Sequence, residues 1–106
     1  MTSPITGRRV AVVLMAEASG VSEKVTHGTV VETSDGLSIE HGQGVLKLSN
    51  KWARMIGPLE PAASRARLGA DYALPLVTDR LSPGELASLI SGGLQLPSSG
   101  HGGTAQ

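Results

Sequence analysis

Three histidines, His27, His41 and His101, are the only side chains of this 106-residue chain whose ordinary titration falls near neutral pH. His27 and His41 belong at the same end of an expected hairpin, and with Glu40 beside them they have the residue types of a metal site or an acid–base pair. Glu40, however, is expected on the opposite strand face from His41, and a structural zinc site takes four ligands. Strand-end histidines in water are the commoner arrangement, so His27 and His41 rank as weak metal candidates. His101 falls in a polar tail. Glu32 and Glu40, expected two rungs apart on one face, could serve as general acid and base, yet solvated carboxylates are usual on an exposed strand face. With no cysteine there are no disulfides, thiolate metal sites or thiol nucleophile. Gly42-Gln43-Gly44 lacks the third glycine or Lys-Ser/Thr of a phosphate loop. No His-Glu-x-x-His, Gly-x-Ser-x-Gly or Ser-x-x-Lys occurs, and Ser91-Gly92-Gly93 reads as a helix stop. The expectation is a non-enzyme without a cofactor.

Charge layout carries more information. Nine Lys and Arg balance nine Asp and Glu, which implies no bulk attraction to nucleic acid or membrane. The balance is the cancellation of two unlike stretches. Residues 17–40 hold Glu17, Glu23, Glu32, Asp35 and Glu40 against Lys24, whereas residues 44–70 hold Lys47, Lys51, Arg54, Arg65 and Arg67 against Glu60. Opposed flanks of this kind suit a complementary protein partner or a head-to-tail homo-oligomer. They also suit a basic stripe that follows an RNA or DNA backbone. Trp52 is the one aromatic near the stripe; Tyr72 is the other in the chain, and Phe is absent. Single-strand readers use several stacking faces, each worth roughly 1–3 kcal/mol. A lone large ring in an aliphatic domain is more often a core plug. The leading expectation is therefore a non-catalytic protein-binding or self-assembly module that uses an open strand edge, residues 72–77 or 44–49, and the complementary charge flanks. The candidate contacts are Lys47, Lys51, Trp52, Arg54, Arg65 and Arg67. Nucleic-acid binding is the first alternative, and a small metal- or His-dependent enzyme the second.

The elements that must hold these residues are mostly strands. Leu, Ile and Val number 26, enough for one aliphatic core, so residues 1–96 read as a single domain followed by a flexible tail at 97–106. Strands are expected at about 9–16, 25–33, 37–41, 44–49, 52–56 and 72–77, separated by Gly-, Ser- and Asn-containing turns. A three-residue loop at 34–36 would pair Thr33 with Leu37 and Val31 with Ile39, leaving Val30, Glu32, Ser38 and Glu40 on the other face. Pro75 would confine the Tyr72–Val77 strand to an edge or a bulge. Residues 61–69 could form two helical turns between Pro61 and Gly69. Ser82-Pro83-Gly84-Glu85 is a capping box with Pro at the first position, opening a helix at about 83–91 whose Leu86, Leu89 and Ile90 share a face.

This pattern predicts a mainly β fold, a five- to six-stranded antiparallel barrel or curved meander with a short C-terminal helix. The stretch from His27 to Ser49, a bent hairpin with Gly28 and an Asp35-Gly36 turn, resembles small barrels of the SH3 or Sm type. That resemblance concerns geometry and carries no site across.

Residues 7–18 mimic a secretory signal: Arg8 and Arg9, an apolar run from Val10 to Ala16, and a small-x-small pattern ending at Ala18. The run is short and β-branched, which favours a buried first strand. The expected setting is cytoplasmic, with no membrane span, the minor alternative being secretion after cleavage near Ala18.

Overall fold

The computed structural model describes residues 5–16 and 23–96. Glu17, residues 18–22 with the cleavage position, and residues 97–106 with the expected tail and His101 lie outside those residues. The strands are β1 (Arg9–Met15), β2 (Glu23–Thr33), β3 (Gly36–His41), β4 (Gly44–Lys47), β5 (Gly57–Pro58) and β6 (Tyr72–Val77). They form one sheet in the order β4-β3-β2-β1-β6-β5. The class is mainly β, and β1 to β4 make the antiparallel meander that the turns implied.

Two features depart from the expected barrel. The sheet ends at β4 and β5 without pairing them, and β6 runs parallel to β1. The cause is visible in β1, whose residues Val10 to Leu14 are all buried. A strand apolar on both faces belongs at the centre of a sheet, with layers above and below. The chain supplies them by crossing over through α1 (Asn50–Met55), β5 and α2 (Ala62–Leu68) before returning alongside β1.

The register gives each face its own core. Val10, Val12 and Leu14 align with Val30, Ile39, Leu46, Leu74 and Leu76, and Trp52, Leu89 and Leu94 cover them. On the reverse face Ala11 and Val13 pack with Ala70, Leu59 and Leu68. The first core is the larger, and it alone uses α1 and α3 (Pro83–Ser91).

The β2–β3 register differs by one residue from the expected one. Thr33 pairs Gly36, Glu32 pairs Leu37 and Val30 pairs Ile39, so the loop is the two residues Ser34 and Asp35. Val31, Ser38 and Glu40 therefore share the reverse face, while Val30, Ile39 and Leu37 face the larger core. Thr33 fixes the turn: its Oγ1 accepts the Asp35 N–H at 3.2 Å and donates to the Gly36 carbonyl at 3.1 Å. Glu32 beside Leu37 costs little because that end of the hairpin projects into water, and Glu32 is exposed. Further along, a Cβ at Gly28 would overlap Ile39 Cγ2 and stand 2.7 Å from the Glu40 carbonyl oxygen. Only glycine fits there.

The expected strand at 52–56 is instead α1. Ser49 is its N-cap, with Oγ accepting the Trp52 N–H at 3.2 Å, so what read as a turn signal is a helix start. Strand β4 accordingly stops at Lys47, although Leu48 N–H still reaches the Leu37 carbonyl at 2.9 Å. Helix α2 is present as expected, with Pro61 at the cap position and Gly69 left-handed at φ 67°. The capping box of α3 is complete: Ser82 Oγ accepts the Glu85 N–H, and Glu85 Oε1 accepts the Ser82 N–H at 2.9 Å. At the other end Gly93 is left-handed, Gly93 N–H reaches the Ile90 carbonyl and Leu94 N–H reaches that of Leu89, a Schellman stop. Of the expected apolar face Leu89 is fully buried and Leu86 half-buried, but Ile90 is 61% exposed. The face is centred on Leu89.

Candidate functional site

Strand β5 pairs only Gly57 with Ala73 and Pro58 with Tyr72. From Leu74 to Val77, β6 therefore has a strand on one side only among the described residues. Pro75 lies in that open stretch, where a missing N–H is tolerated. A groove of about 330 Å³ runs along it. Its β6 wall is Pro75, Leu76 and Val77; three consecutive residues alternate between faces, so the groove follows the strand edge and not one face.

The opposite wall is α1, which contributes Lys51, Trp52 and Met55, and the end is closed by Arg80 and Leu81. Each part is held from outside the groove. Trp52 is 2% exposed and anchored in the larger core, so the position of α1 over β6 is set by packing. Residues 78–80 form a single 3₁₀ turn, tied to β1 by Thr78 Oγ1 donating to the Met15 carbonyl at 3.1 Å. Lys51 Nζ lies 3.1 Å from Glu85 Oε2, which joins α1 to the first turn of α3. The Ser82 backbone N–H, and after it the Lys51 hydrogen bond, hold the Glu85 carboxyl below its ordinary value of 4.5.

The groove combines an apolar surface with donors. Met55, Pro75, Leu76, Val77 and Leu81 supply the first. The Trp52 indole N–H is buried with no hydrogen-bond partner, an arrangement that costs about 1–3 kcal/mol. Arg80 has no ion pair among the described residues.

The other candidate residues are spread over the molecule. Lys47 sits on β4 at the far side of the sheet, 3.5 Å from Asp35 Oδ2, in a pair whose members are both more than two-thirds exposed. Arg54 is exposed on α1, and Arg65 on α2 donates to the Leu59 carbonyl at 3.0 Å with Arg67 nearby in sequence. The five cations thus occupy three separate elements, β4, α1 and α2. Trp52 is a core residue. Only Lys51 and Trp52 of the six share a site.

His27 and His41 both border a second, open cleft of about 390 Å³ with Arg9, Thr29 and Glu40. In the observed register His41 pairs Gly28, so the two imidazoles project from opposite faces of the hairpin. Glu40 is opposite His41, as expected, and on the same face as His27. His27 Nε2 is hydrogen-bonded to the Leu68 carbonyl. His41 Nδ1 accepts the Gln43 N–H at 3.3 Å, and its Nε2 is buried without a partner. Among the described residues no group of three or more His, Asp or Glu is placed to hold a metal ion. No helix among them is long and apolar enough to cross a membrane.

Sequence reasoning offered two strand edges for an interface, Tyr72–Val77 and the strand at 44–49, and did not point to Met55, Arg80 or Leu81. The available signal was the adjacency of Pro75, a marker of strand edges, to the Thr78-Asp79-Arg80 turn. Comparison with protein-family models, with curated proteins and with solved structures gives no match.

Proposed function

We propose that the protein is a protein-binding module that takes an extended segment of a partner along the open edge of β6. The observation that carries this reading is the coincidence of a strand stretch lacking an outer neighbour with an apolar groove beside it. Strand edges present free main-chain groups, and pockets next to them select alternate side chains of an added segment. Pro75 removes one donor from this edge, so side-chain contacts to Met55, Val77 and Leu81 take a larger share of the affinity than a full ladder would.

Selection of random peptides displayed on phage against the immobilised full chain tests the proposal. Enriched sequences should be extended-type peptides without helical periodicity. Added as synthetic peptides, they should shift the amide resonances of Leu74, Leu76 and Val77 in the ¹⁵N-labelled protein. Enriched peptides whose shifts map to β4 or to the histidine cleft would refute the β6 edge as the docking surface.

A further inference from the structure

We infer that the segment taken along β6 is acidic as well as apolar, an inference that rests on the docking function proposed above. The groove-lining residues with polar side-chain groups are Lys51, Trp52 and Arg80, and those groups are all donors. No carboxylate lines it. The nearest acids are Glu85, engaged by Ser82 and Lys51, and the exposed Asp79 next to Arg80. Arg54, on the same short helix as Lys51, adds a further cation without an ion pair among the described residues.

Side chains that offer only donors and positive charge ask for acceptors and negative charge. An extended segment meets this demand with a period of two. Its apolar side chains face Met55 and Leu81 on the α1 side, and the carboxylates between them reach Arg80 at the end of the groove. Arg80 selects most strongly, because Lys51 must share its ammonium with Glu85. A basic segment places like charge against Arg80, and a neutral one leaves the guanidinium to water. Complementary charge of this kind gives specificity and association rate, and it is screened by salt.

The test uses the ¹⁵N-labelled full chain and three synthetic peptides of nine residues, alternating Leu with Glu, with Ser or with Lys. Trp52 is the only tryptophan, so its indole N–H gives one resonance that reports on the groove floor. The Leu/Glu peptide should move that resonance and bind at least about tenfold more tightly than the Leu/Ser peptide, with Leu/Lys weakest. The variant Arg80→Glu, at an exposed position, should keep the native spectrum, lose the acidic preference and favour the Leu/Lys peptide. Equal binding of the three peptides, or unchanged Leu/Glu affinity in Arg80→Glu, overturns the acidic selection while leaving docking intact. If none of the peptides moves the indole resonance, docking at this edge fails and the inference with it.

Discussion

The two sides of this sheet end in different ways. Strand β4 is short, and one of its outward main-chain groups, the Val45 carbonyl, lies against α3. The hydrogen bond from Leu48 to the Leu37 carbonyl sets the alternation, so that Val45 turns its carbonyl away from β3. The end of α3 lies against that carbonyl: a Cβ at Gly92 would come within 3.2 Å of it. A Cβ at Gly44 would likewise stand 2.9 Å from the Gly92 carbonyl oxygen. Glycines on both elements let helix and strand backbones touch, so the chain's own helix terminus stands against this edge. On the other side β5 guards two residues of β6 and then leaves, and the helix nearby stands off far enough to make a groove. A small sheet must manage both edges. Here one edge is met by the chain's own helix terminus, which leaves a cleft shared by Val45, Lys47 and α3. The other has a groove beside main-chain groups that no strand among the described residues covers. That difference separates a partly protected edge from an open one.

Breaking the helix-covered edge should have the largest effect. Gly93 is left-handed at φ 85°, and a Cβ there would stand 2.7 Å from the Gln43 carbonyl oxygen. Gly93→Val should cost about 2–3 kcal/mol in urea unfolding, from backbone strain and the overlap together. It should also raise self-association in sedimentation as the β4 edge opens. Unchanged stability would mean that α3 does not close that edge. Loosening the open side should do less. Ser49→Ala removes the cap of α1 and should lower stability by about 1 kcal/mol while weakening peptide binding at β6. A loss of stability with full binding would detach α1 from the docking surface.

The smallest expected effect lies at Glu85, which joins α1 to α3. Its carboxyl is lowered in the folded chain, so the unfolded chain binds the proton more readily and stability rises with pH in this window. The contribution is complete above the ordinary value of 4.5 and disappears as pH falls through the lower folded value. Thermal unfolding of Glu85→Gln should lack that part of the pH slope. An identical slope in both proteins would assign acid sensitivity to other carboxylates.

Much of the scaffold was legible. The Val10–Leu14 run announced a buried strand, and Ser82 with Glu85 announced α3 and its first turn. The parallel pairing of β1 with β6 was not legible, because it joins residues 62 apart and depends on both faces of β1 being covered. Trp52 through Ile56 fits a strand period about as well as a helical one; the decision lay with Ser49, whose hydroxyl serves a turn or a cap equally well in sequence. The hairpin register turned on Thr33, a side chain that braces the loop, and on Glu32 having water beside it. At the candidate site Lys51 and Trp52 stood out for a basic stripe that the fold disperses. Pro75 correctly marked an edge, but the groove needed α1 to be a helix before it could be foreseen.

One titration addresses both edges at once. The amide spectrum of the ¹⁵N-labelled chain, followed as the Leu/Glu peptide is added, reads β4 and β6 in the same sample. Shifts confined to Leu74, Leu76, Val77, Arg80 and the Trp52 indole, with Val45 to Lys47 unmoved, are the predicted result. Shifts centred on Val45 to Lys47, or spread evenly over both edges, would contradict a molecule with one helix-covered edge and one docking edge.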